Sequence, residues 1–293
     1  MNTPFDTTSL VDAASQAAPV APALPGRDIV LRSPGHRHGP VTRLFSPGDI
    51  GGLIKPFVFL DHFDLVPGAS GFPMHPHSGI ATVSVLLSGA FSYEDTTGAS
   101  GTLGPGGVEW MQAGNGVWHV GDPVGSETLT GYQVWVALPQ ERENGPAQSQ
   151  YVAPEDVPDT GAARVILGSH GGMHSKVLAP AGMNLLHVRL ADGQAWRYQP
   201  PVGHAVAWTH VRRGRLLVAG QTLENELAVF GESEQALEFV ALGDAEFILG
   251  SAIKHPHALA LGNYSVHTSP QALARGEAEI RRIGQQLREQ GRI

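Results

Sequence analysis

Short apolar runs separated by glycine and proline recur along the chain from residue 27 onward. Within these runs apolar and polar residues alternate, as in TVSVLLS at 82–88 and FSY at 91–93. Successive side chains of a strand point to opposite faces, so this alternation predicts half-buried antiparallel strands. The polar segment EDTTGASG at 94–101 lies between two such runs and predicts a hairpin loop. The pattern therefore predicts a chain that is mainly β.

The same pattern divides the chain into two β-rich halves of comparable length. Residues 1–26 are rich in Ala, Pro, Ser and Thr without sustained periodicity, which predicts a flexible N-terminal tail. We expect an N-terminal domain at 27–145 and a C-terminal domain at 163–293, joined by a polar, proline-containing linker at 146–162. Two similar halves suggest a duplicated architecture.

The C-terminus changes to a helical period. Ser269 is a suitable N-cap, and Pro270 suits the first helical position. Apolar side chains then follow at helical spacings, at Leu273, Ile280, Ile283 and Leu287. This predicts one amphipathic helix packed on the second half, which Gly276 and Gly284 weaken by about 1 kcal/mol each.

Composition narrows the possible partners and chemistry. The net charge is −8 and there is no basic block, so we expect no direct nucleic-acid binding. No apolar stretch reaches the roughly 18 residues of a membrane span, and the first basic residue is Arg27, so we expect a cytoplasmic protein without a membrane or signal segment. The absence of cysteine leaves histidine and carboxylates as the strong metal ligands.

The segment GFPMHPH at 71–77 places two histidines next to a proline before an apolar run. Pro76 keeps His75 on extended backbone, where His75 and His77 point the same way. A third histidine, His119, ends a glycine-rich turn, and in a small antiparallel barrel it can return alongside the other two. The three side chains could then hold one metal ion at an open site. The alternative is a solvated turn that happens to contain histidine.

Four ordered blocks of the sequence resemble the pirin family, whose members are two-domain cupin proteins. The blocks are FLDHF at 59–63, GFPMHPHSGIATVSVLLSGAF at 71–91, YEDTTGASGTLGPGGVEWMQAGNGVWH at 93–119 and GYQVWVALP at 131–139. The resemblance implies a monomer with an all-β bicupin fold, with two antiparallel β-barrels of jelly-roll type and a short C-terminal helix. It also implies that His75, His77 and His119 bind a divalent metal. Fe(II) is the expected ion, and Mn, Co, Ni or Zn are the alternatives.

The activity implied by the resemblance is that of a quercetin 2,3-dioxygenase, an oxidoreductase acting on a flavonol or another aromatic or enediol substrate. The alternative is a non-enzymatic, metal-dependent regulator that binds protein partners, as described for some members of the family. Which of the two applies stays open at the level of the sequence.

One family position is changed in this chain. Pirins carry a glutamate two residues after the third histidine, as a fourth metal ligand, and here that position is Gly121. In the quercetinase-type members this glutamate is also the base that deprotonates the flavonol, so the resemblance leaves that role unfilled here. Asp122 and Glu109 are the acidic candidates for it. A one-residue shift along a strand reverses the direction of the side chain, which disfavours Asp122. Glu109 stands where pirins usually carry Gln, and a hydrogen-bonding role near the site or a surface strand position is its simplest interpretation.

Further side chains carry expectations of their own. The other HxH pairs, His36 with His38 and His255 with His257, lack the context of the first pair and are predicted to be surface histidines. Trp118, directly before His119, is predicted to form a wall of the pocket.

Overall fold

Three antiparallel sheets account for most of the computed structural model, which describes residues 27–293. The tail predicted at 1–26 lies outside the described residues. The prediction of a mainly β chain is confirmed. In the first half the strands are β1 (Ile29–Ser33), β2 (His36–His38), β3 (Val41–Phe45), β4 (Phe57–Leu65), β5 (Phe72–His77), β6 (Ile80–Ser88), β7 (Ala90–Asp95), β8 (Ser100–Leu103), β9 (Val108–Gln112), β10 (Val117–Val124), β11 (Leu129–Ala137) and β12 (Gln148–Val152).

The second half continues with strands and ends in a helix. Its strands are β13 (Ala163–Leu167), β14 (Ser169–His170), β15 (Met173–His174), β16 (Met183–Leu190), β17 (Ala195–Tyr198), β18 (Val206–Val218), β19 (Gln221–Glu224), β20 (Leu227–Phe230), β21 (Leu237–Ala252), β22 (Ala260–Leu261) and β23 (Val266–His267). The helices of the described residues are α1 (Ile50–Leu53), α2 (Pro270–Glu289) and a 3₁₀ turn at Pro154–Asp156. Neither α-helix is both long and apolar enough to cross a membrane.

The strand orders show how the sheets are built. A seven-stranded sheet has the order β12-β9-β6-β11-β4-β3-β2, and a four-stranded sheet has the order β5-β10-β7-β8. An eight-stranded sheet has the order β1-β20-β18-β21-β16-β13, with β17 on β21 and β19 on β18. Strands β14 with β15 and β22 with β23 form two-stranded ribbons. No sheet of residues 27–293 closes into a barrel, and the predicted hairpin of β7 and β8 is present.

Sheet membership crosses the predicted domain boundaries at two places. Strand β1, from the start of the predicted first domain, pairs with β20 of the second half. Strand β12, inside the predicted linker 146–162, pairs with β9 of the first half. The division at 27–145, 146–162 and 163–293 stays a prediction.

The main hydrophobic core lies between the seven-stranded and the eight-stranded sheets. It includes Phe45, Phe57 and Trp110 from the first half together with Trp208 and Ile248 from the second. The Trp208 ring meets Phe45 and Phe57 edge to face, with centroids 5.5 and 5.4 Å apart, a geometry that favours aromatic pairs. Each half therefore covers apolar surface that the other would expose to water.

Helix α2 begins as predicted, because the Ser269 hydroxyl accepts a hydrogen bond from the Ala272 N–H. Its predicted packing on the second half was incomplete, since α2 also contacts β10 and β5 of the first half. The two glycines allow this approach. A Cβ at Gly284 would lie 2.6 Å from the Trp118 ring, and one at Gly276 would lie 2.6 Å from His267 Nε2. Their helix-weakening effect is the cost of close packing.

We expect Trp208→Ala to lower the free energy of unfolding by about 3–5 kcal/mol, because it removes a fully buried tryptophan that packs on Phe45 and Phe57 of the other half. Denaturant unfolding measures the change. Val202→Ala is the control: Val202 is 91% exposed, and its truncation should change stability by less than about 0.5 kcal/mol. Similar losses in the two variants would contradict a core shared between the halves.

Candidate functional site

Strands β5 and β10 bring the three predicted histidines together. His75 lies opposite His119 in the antiparallel register, and His77 follows two residues later on β5. The ring centroids are 4.3 Å apart for His75 and His119, 4.9 Å for His75 and His77, and 5.1 Å for His77 and His119. One ring nitrogen of each residue lies within 4.8 Å of the others. The expected cluster is therefore present, while metal binding by it stays a prediction.

Backbone carbonyls fix the orientation of two of the rings. His75 Nδ1 lies 2.7 Å from the Pro73 carbonyl oxygen, and His77 Nδ1 lies 3.1 Å from that of Tyr264. A carbonyl oxygen only accepts hydrogen bonds, so each Nδ1 carries the proton and donates it. The Nε2 atoms of His75 and His77 are then left with a lone pair, the form in which imidazole binds a metal ion.

Burial keeps the three imidazoles neutral. It lowers the pKa of all three, and in His77 burial together with the neighbouring His75 lowers the pKa to about 3. The pKa of His119 lies well below its usual value because of burial and the two neighbouring rings. Neutral imidazoles are the ligand form, so the cluster need not lose protons to bind an ion near neutral pH.

The donor set fits a divalent transition metal. His75 Nε2 and His119 Nε2 are 3.0 Å apart. Two nitrogens bound at about 2.1 Å and at right angles to one ion would stand about 3.0 Å apart. Imidazole nitrogen is a suitable donor for Fe, Ni, Cu and Zn. The residues therefore match such an ion in chemistry and in spacing.

The histidines open into a cavity of about 600 Å³ between the seven-stranded and four-stranded sheets. Phe59 and Trp135 stack face to face on one wall, with centroids 4.1 Å apart and planes inclined by 11°. The Trp135 ring also meets His77, with centroids 4.8 Å apart. Further apolar lining comes from Phe63, Phe72, Phe91 and Leu129. The cavity is mostly apolar and lies within the usual size range for small-molecule sites, about 300–1,000 Å³.

A row of polar side chains crosses the seven-stranded sheet along one wall of this cavity. Successive members face one another in the register of neighbouring strands, in the order Tyr151, Glu109, Ser84, Gln133, Asp61 and Arg43. All except Tyr151 line the cavity. Apart from Glu109, sequence reasoning did not single out any of them. The available signal was a polar residue interrupting an otherwise apolar strand, as Ser84 does in TVSVLLS.

Comparison with known proteins places the chain in a family. It is 32% identical over 229 residues, covering 72% of this chain and 79% of the relative, to a Pseudomonas aeruginosa protein named a putative quercetin 2,3-dioxygenase. The chain belongs to the pirin family. The family model described as Pirin matches residues 41–136, which include all three histidines.

Solved structures agree with a pirin fold. A quercetin 2,3-dioxygenase from Acinetobacter baumannii superposes with a TM-score of 0.79 at 23% identity, covering 88% of this chain and 97% of that one. A bacterial pirin from Escherichia coli, in complex with nickel(II), superposes with a TM-score of 0.62 at 21% identity, covering 74% and 94%. At these identities the likeness concerns the fold alone.

Gly121, at the position where pirins carry the glutamate, lines the cavity but has no side chain to offer. Gly121 is two residues beyond His119 on β10. A Cβ there would lie 3.4 Å from the Phe91 ring, which is ordinary contact, so the site has room for a side chain. Asp122 is exposed and is not part of the lining. Glu109 is 2% exposed and lines the cavity.

Two predictions about neighbouring residues were wrong. Trp118 does not wall the cavity. Its indole N–H donates to the Ile280 carbonyl 2.8 Å away on α2, because adjacent residues of a strand point to opposite faces. His255 is not a surface residue but 7% exposed, with Nε2 3.3 Å from the Leu138 carbonyl oxygen. His36 and His38 are exposed, as predicted.

The ribbon of β22 and β23 reaches the site from the second half of the chain. Its connecting residues 262–264 line the cavity and include Tyr264, the hydrogen-bond partner of His77. Behind the ribbon, Glu143 accepts hydrogen bonds from the N–H and the hydroxyl of Thr268, at 2.6 and 2.8 Å. His267 Nε2 lies 3.0 Å from the hydroxyl oxygen of Ser78, the residue that follows His77 in the chain. These buried contacts hold the ribbon against strand β5.

We expect Glu143→Ala to lower the free energy of unfolding by about 1–3 kcal/mol, because it removes a buried carboxylate and leaves the partly buried Thr268 N–H without its acceptor. Denaturant unfolding of the metal-free protein measures the loss. The exposed Glu141, two residues earlier, provides the matched control, and Glu141→Ala should leave stability nearly unchanged. Equal effects of the two variants would show that Glu143 does not secure the ribbon.

Proposed function

We propose that this pirin-family chain is a metal-dependent dioxygenase of the quercetin 2,3-dioxygenase type, acting on a flavonol or a related aromatic or enediol substrate. The observation that carries the proposal is the opening of three histidine nitrogens into an aromatic-walled cavity of about 600 Å³. The names of the Pseudomonas and Acinetobacter relatives support this choice of reaction.

For the metal we propose Fe(II) held by His75, His77 and His119, with Mn, Co, Ni or Zn as the ions to be compared. Among these ions the nitrogen donor set suits Fe, Ni and Zn best, and the nickel(II) complex of the Escherichia coli pirin supports a divalent ion. When bound, the ion supplies a Lewis acid that stabilises an anionic substrate oxygen and brings the reactants together.

The remaining side chains of the cavity bind and orient the substrate in this proposal. The stacked pair of Phe59 and Trp135 offers an aromatic surface beside His77, on which a planar ring can pack. The Arg43 guanidinium lies 4.0 Å above the Phe59 ring and is paired with Asp61, which keeps this stack in place. The ribbon residues at 262–264 shield the histidines from water.

We also infer a bicupin arrangement, in which jelly-roll units at 27–145 and 163–293 are joined by 146–162. The support is that each half contributes its own large antiparallel sheet and that the chain belongs to the pirin family.

A second candidate is a metal-dependent regulator that binds a protein partner without catalysis. The observation that favours it is Gly121, because the family glutamate would supply both a ligand and a base. Under this alternative the protein binds the ion but leaves flavonols unchanged.

The test is elemental analysis and flavonol turnover of the purified protein. We expect one stoichiometric metal ion in the wild type. In His77→Ala the affinity for the metal should fall by more than about 10-fold. After loading with Fe, Mn, Co or Ni, the absorbance of quercetin should fall under oxygen in the wild type and not in His77→Ala. His174→Ala, at an exposed histidine of β15, should behave as the wild type.

Three outcomes separate the candidates. Metal binding with turnover supports the dioxygenase. Metal binding without turnover above His77→Ala, for every ion, favours the regulator. Absence of a stoichiometric ion in the wild type contradicts both proposals.

A further inference from the structure

The acidic side chains of the cavity differ in their partners. Within residues 27–293 the cavity lining contains Asp61 and Glu109 as its acids. Asp61 accepts hydrogen bonds from Nε and Nη2 of Arg43, so its charge has a cationic partner. Glu109 bonds to Ser84 and Tyr151, neither of which is a cation. The proton of Glu109 is therefore not tied to an ion pair.

The hydrogen bonds around Glu109 have one proton too few for the acceptor atoms that face each other. The Ser84 hydroxyl has one proton, but it lies next to two oxygen atoms, Glu109 Oε2 and Gln133 Oε1, the second at 3.0 Å. At the same time Gln133 Nε2 is buried without a hydrogen-bond partner. One hydroxyl proton cannot satisfy both acceptors, so one further group must donate.

Two arrangements supply the missing proton, and they differ in the charge of Glu109. A protonated Glu109 donates to Ser84, which donates to Gln133. Alternatively, the Gln133 amide turns over, so that Nε2 donates to Ser84 and Ser84 donates to an ionised Glu109. A flip of the Gln133 side-chain amide and a rotation of the Ser84 hydroxyl are therefore enough to accommodate both protonation states of Glu109, and the backbone of the sheet need not move.

We propose that Glu109 accepts the proton of a substrate hydroxyl group in this cavity, the role that a carboxylate at position 121 would otherwise fill. This inference rests on the proposed function, because it requires a hydroxylated substrate beside the three histidines. The substrate O–H bond breaks, its electron pair stays on the substrate oxygen, and the proton binds to a carboxylate oxygen of Glu109. The step needs no oxidant or reductant.

The register of the sheet places the row close to the histidines. Gln133 and Trp135 are two residues apart on β11 and face the same side, about 7 Å from each other. The Trp135 ring is in contact with His77, and Ser84 joins Gln133 to Glu109. A planar ligand stacked on Trp135 therefore lies beside both the histidines and the polar row.

The surroundings of Glu109 suit proton exchange near neutral pH. Burial raises the pKa of Glu109 to about 7, the nearby Asp95 also raises it, and the hydrogen bonds from Ser84 and Tyr151 act in the opposite direction. Tyr93 stacks on Tyr151 and stays neutral, since burial and the carboxyl groups of Glu109 and Asp95 raise the pKa of Tyr93. A base with a pKa near the working pH is the effective choice for general base catalysis.

The first test titrates the carboxyl group in the metal-free protein, so it does not depend on activity. Infrared spectroscopy should show a carboxylic acid that ionises near pH 7 in the wild type, is absent from Glu109→Gln, and persists in Asp122→Asn. The difference in the free energy of unfolding between the wild type and Glu109→Gln should fall as pH rises from about 4.5 to about 7, because the folded wild type binds this proton more tightly than its unfolded chain does. An unchanged titration in Glu109→Gln overturns the inference.

The second test counts protons when quercetin binds without oxygen, by calorimetry in buffers of different ionisation enthalpy. Glu109→Gln should release up to about one more proton per bound quercetin than the wild type, with the difference growing as pH rises through about 7. If the wild type and Glu109→Gln both bind quercetin and release equal numbers of protons, the inference is overturned. Absence of quercetin binding in the metal-loaded wild type contradicts the proposed function itself.

A third variant keeps the test decisive if Glu109→Gln binds quercetin poorly. Glu109→Gln combined with Gly121→Glu restores a carboxylate at the family position, where a Cβ fits. Recovery of binding and of the wild-type proton count supports a proton-accepting role for Glu109. Failure of both to recover, in a double variant that retains its metal, contradicts that role.

Discussion

The pairing of β5 with β10 is the constraint on which the site depends. It sets His75 opposite His119, and the two-residue period of β5 adds His77 on the same face. A slip by one residue would turn His119 to the other side of the sheet. The turn after β5 is equally restricted. Gly79 has a φ of 76°, and a Cβ there would collide with the Val266 carbonyl oxygen, so a side chain would push the ribbon away from the site.

The second constraint is electrical. Three neutral imidazoles leave the charge of a divalent ion uncompensated, whereas a glutamate at position 121 would offset half of it. The cavity contains a carboxyl group nonetheless, on the polar row rather than beside His119. If the three histidines hold an ion and Glu109 is the base, as proposed, an additional position on that ion would be open and the site would attract anionic oxygens more strongly. In that proposal a base and a Lewis acid would act from different walls of one cavity.

Features that depend on residues close together in the chain could be predicted from the sequence. The spacing of His75 and His77, the hairpin and the N-cap of α2 were predictable, because each depends on neighbours within a few residues. The polar row was not, because Ser84, Gln133 and Asp61 become neighbours only through the pairing of strands far apart in the chain. Trp118 shows a different error, since strand alternation already placed it opposite to His119. The glycines of α2 looked like defects until their contacts with Trp118 and His267 were known.

The hydrogen bond from His77 to Tyr264 joins residues 187 positions apart in the chain. The His77 ring therefore gains the acceptor that orients it only after the C-terminal ribbon has docked. An ion that binds only this finished state draws the folding equilibrium toward it. Metal uptake would then favour chains in which the ribbon has docked over chains in which it has not.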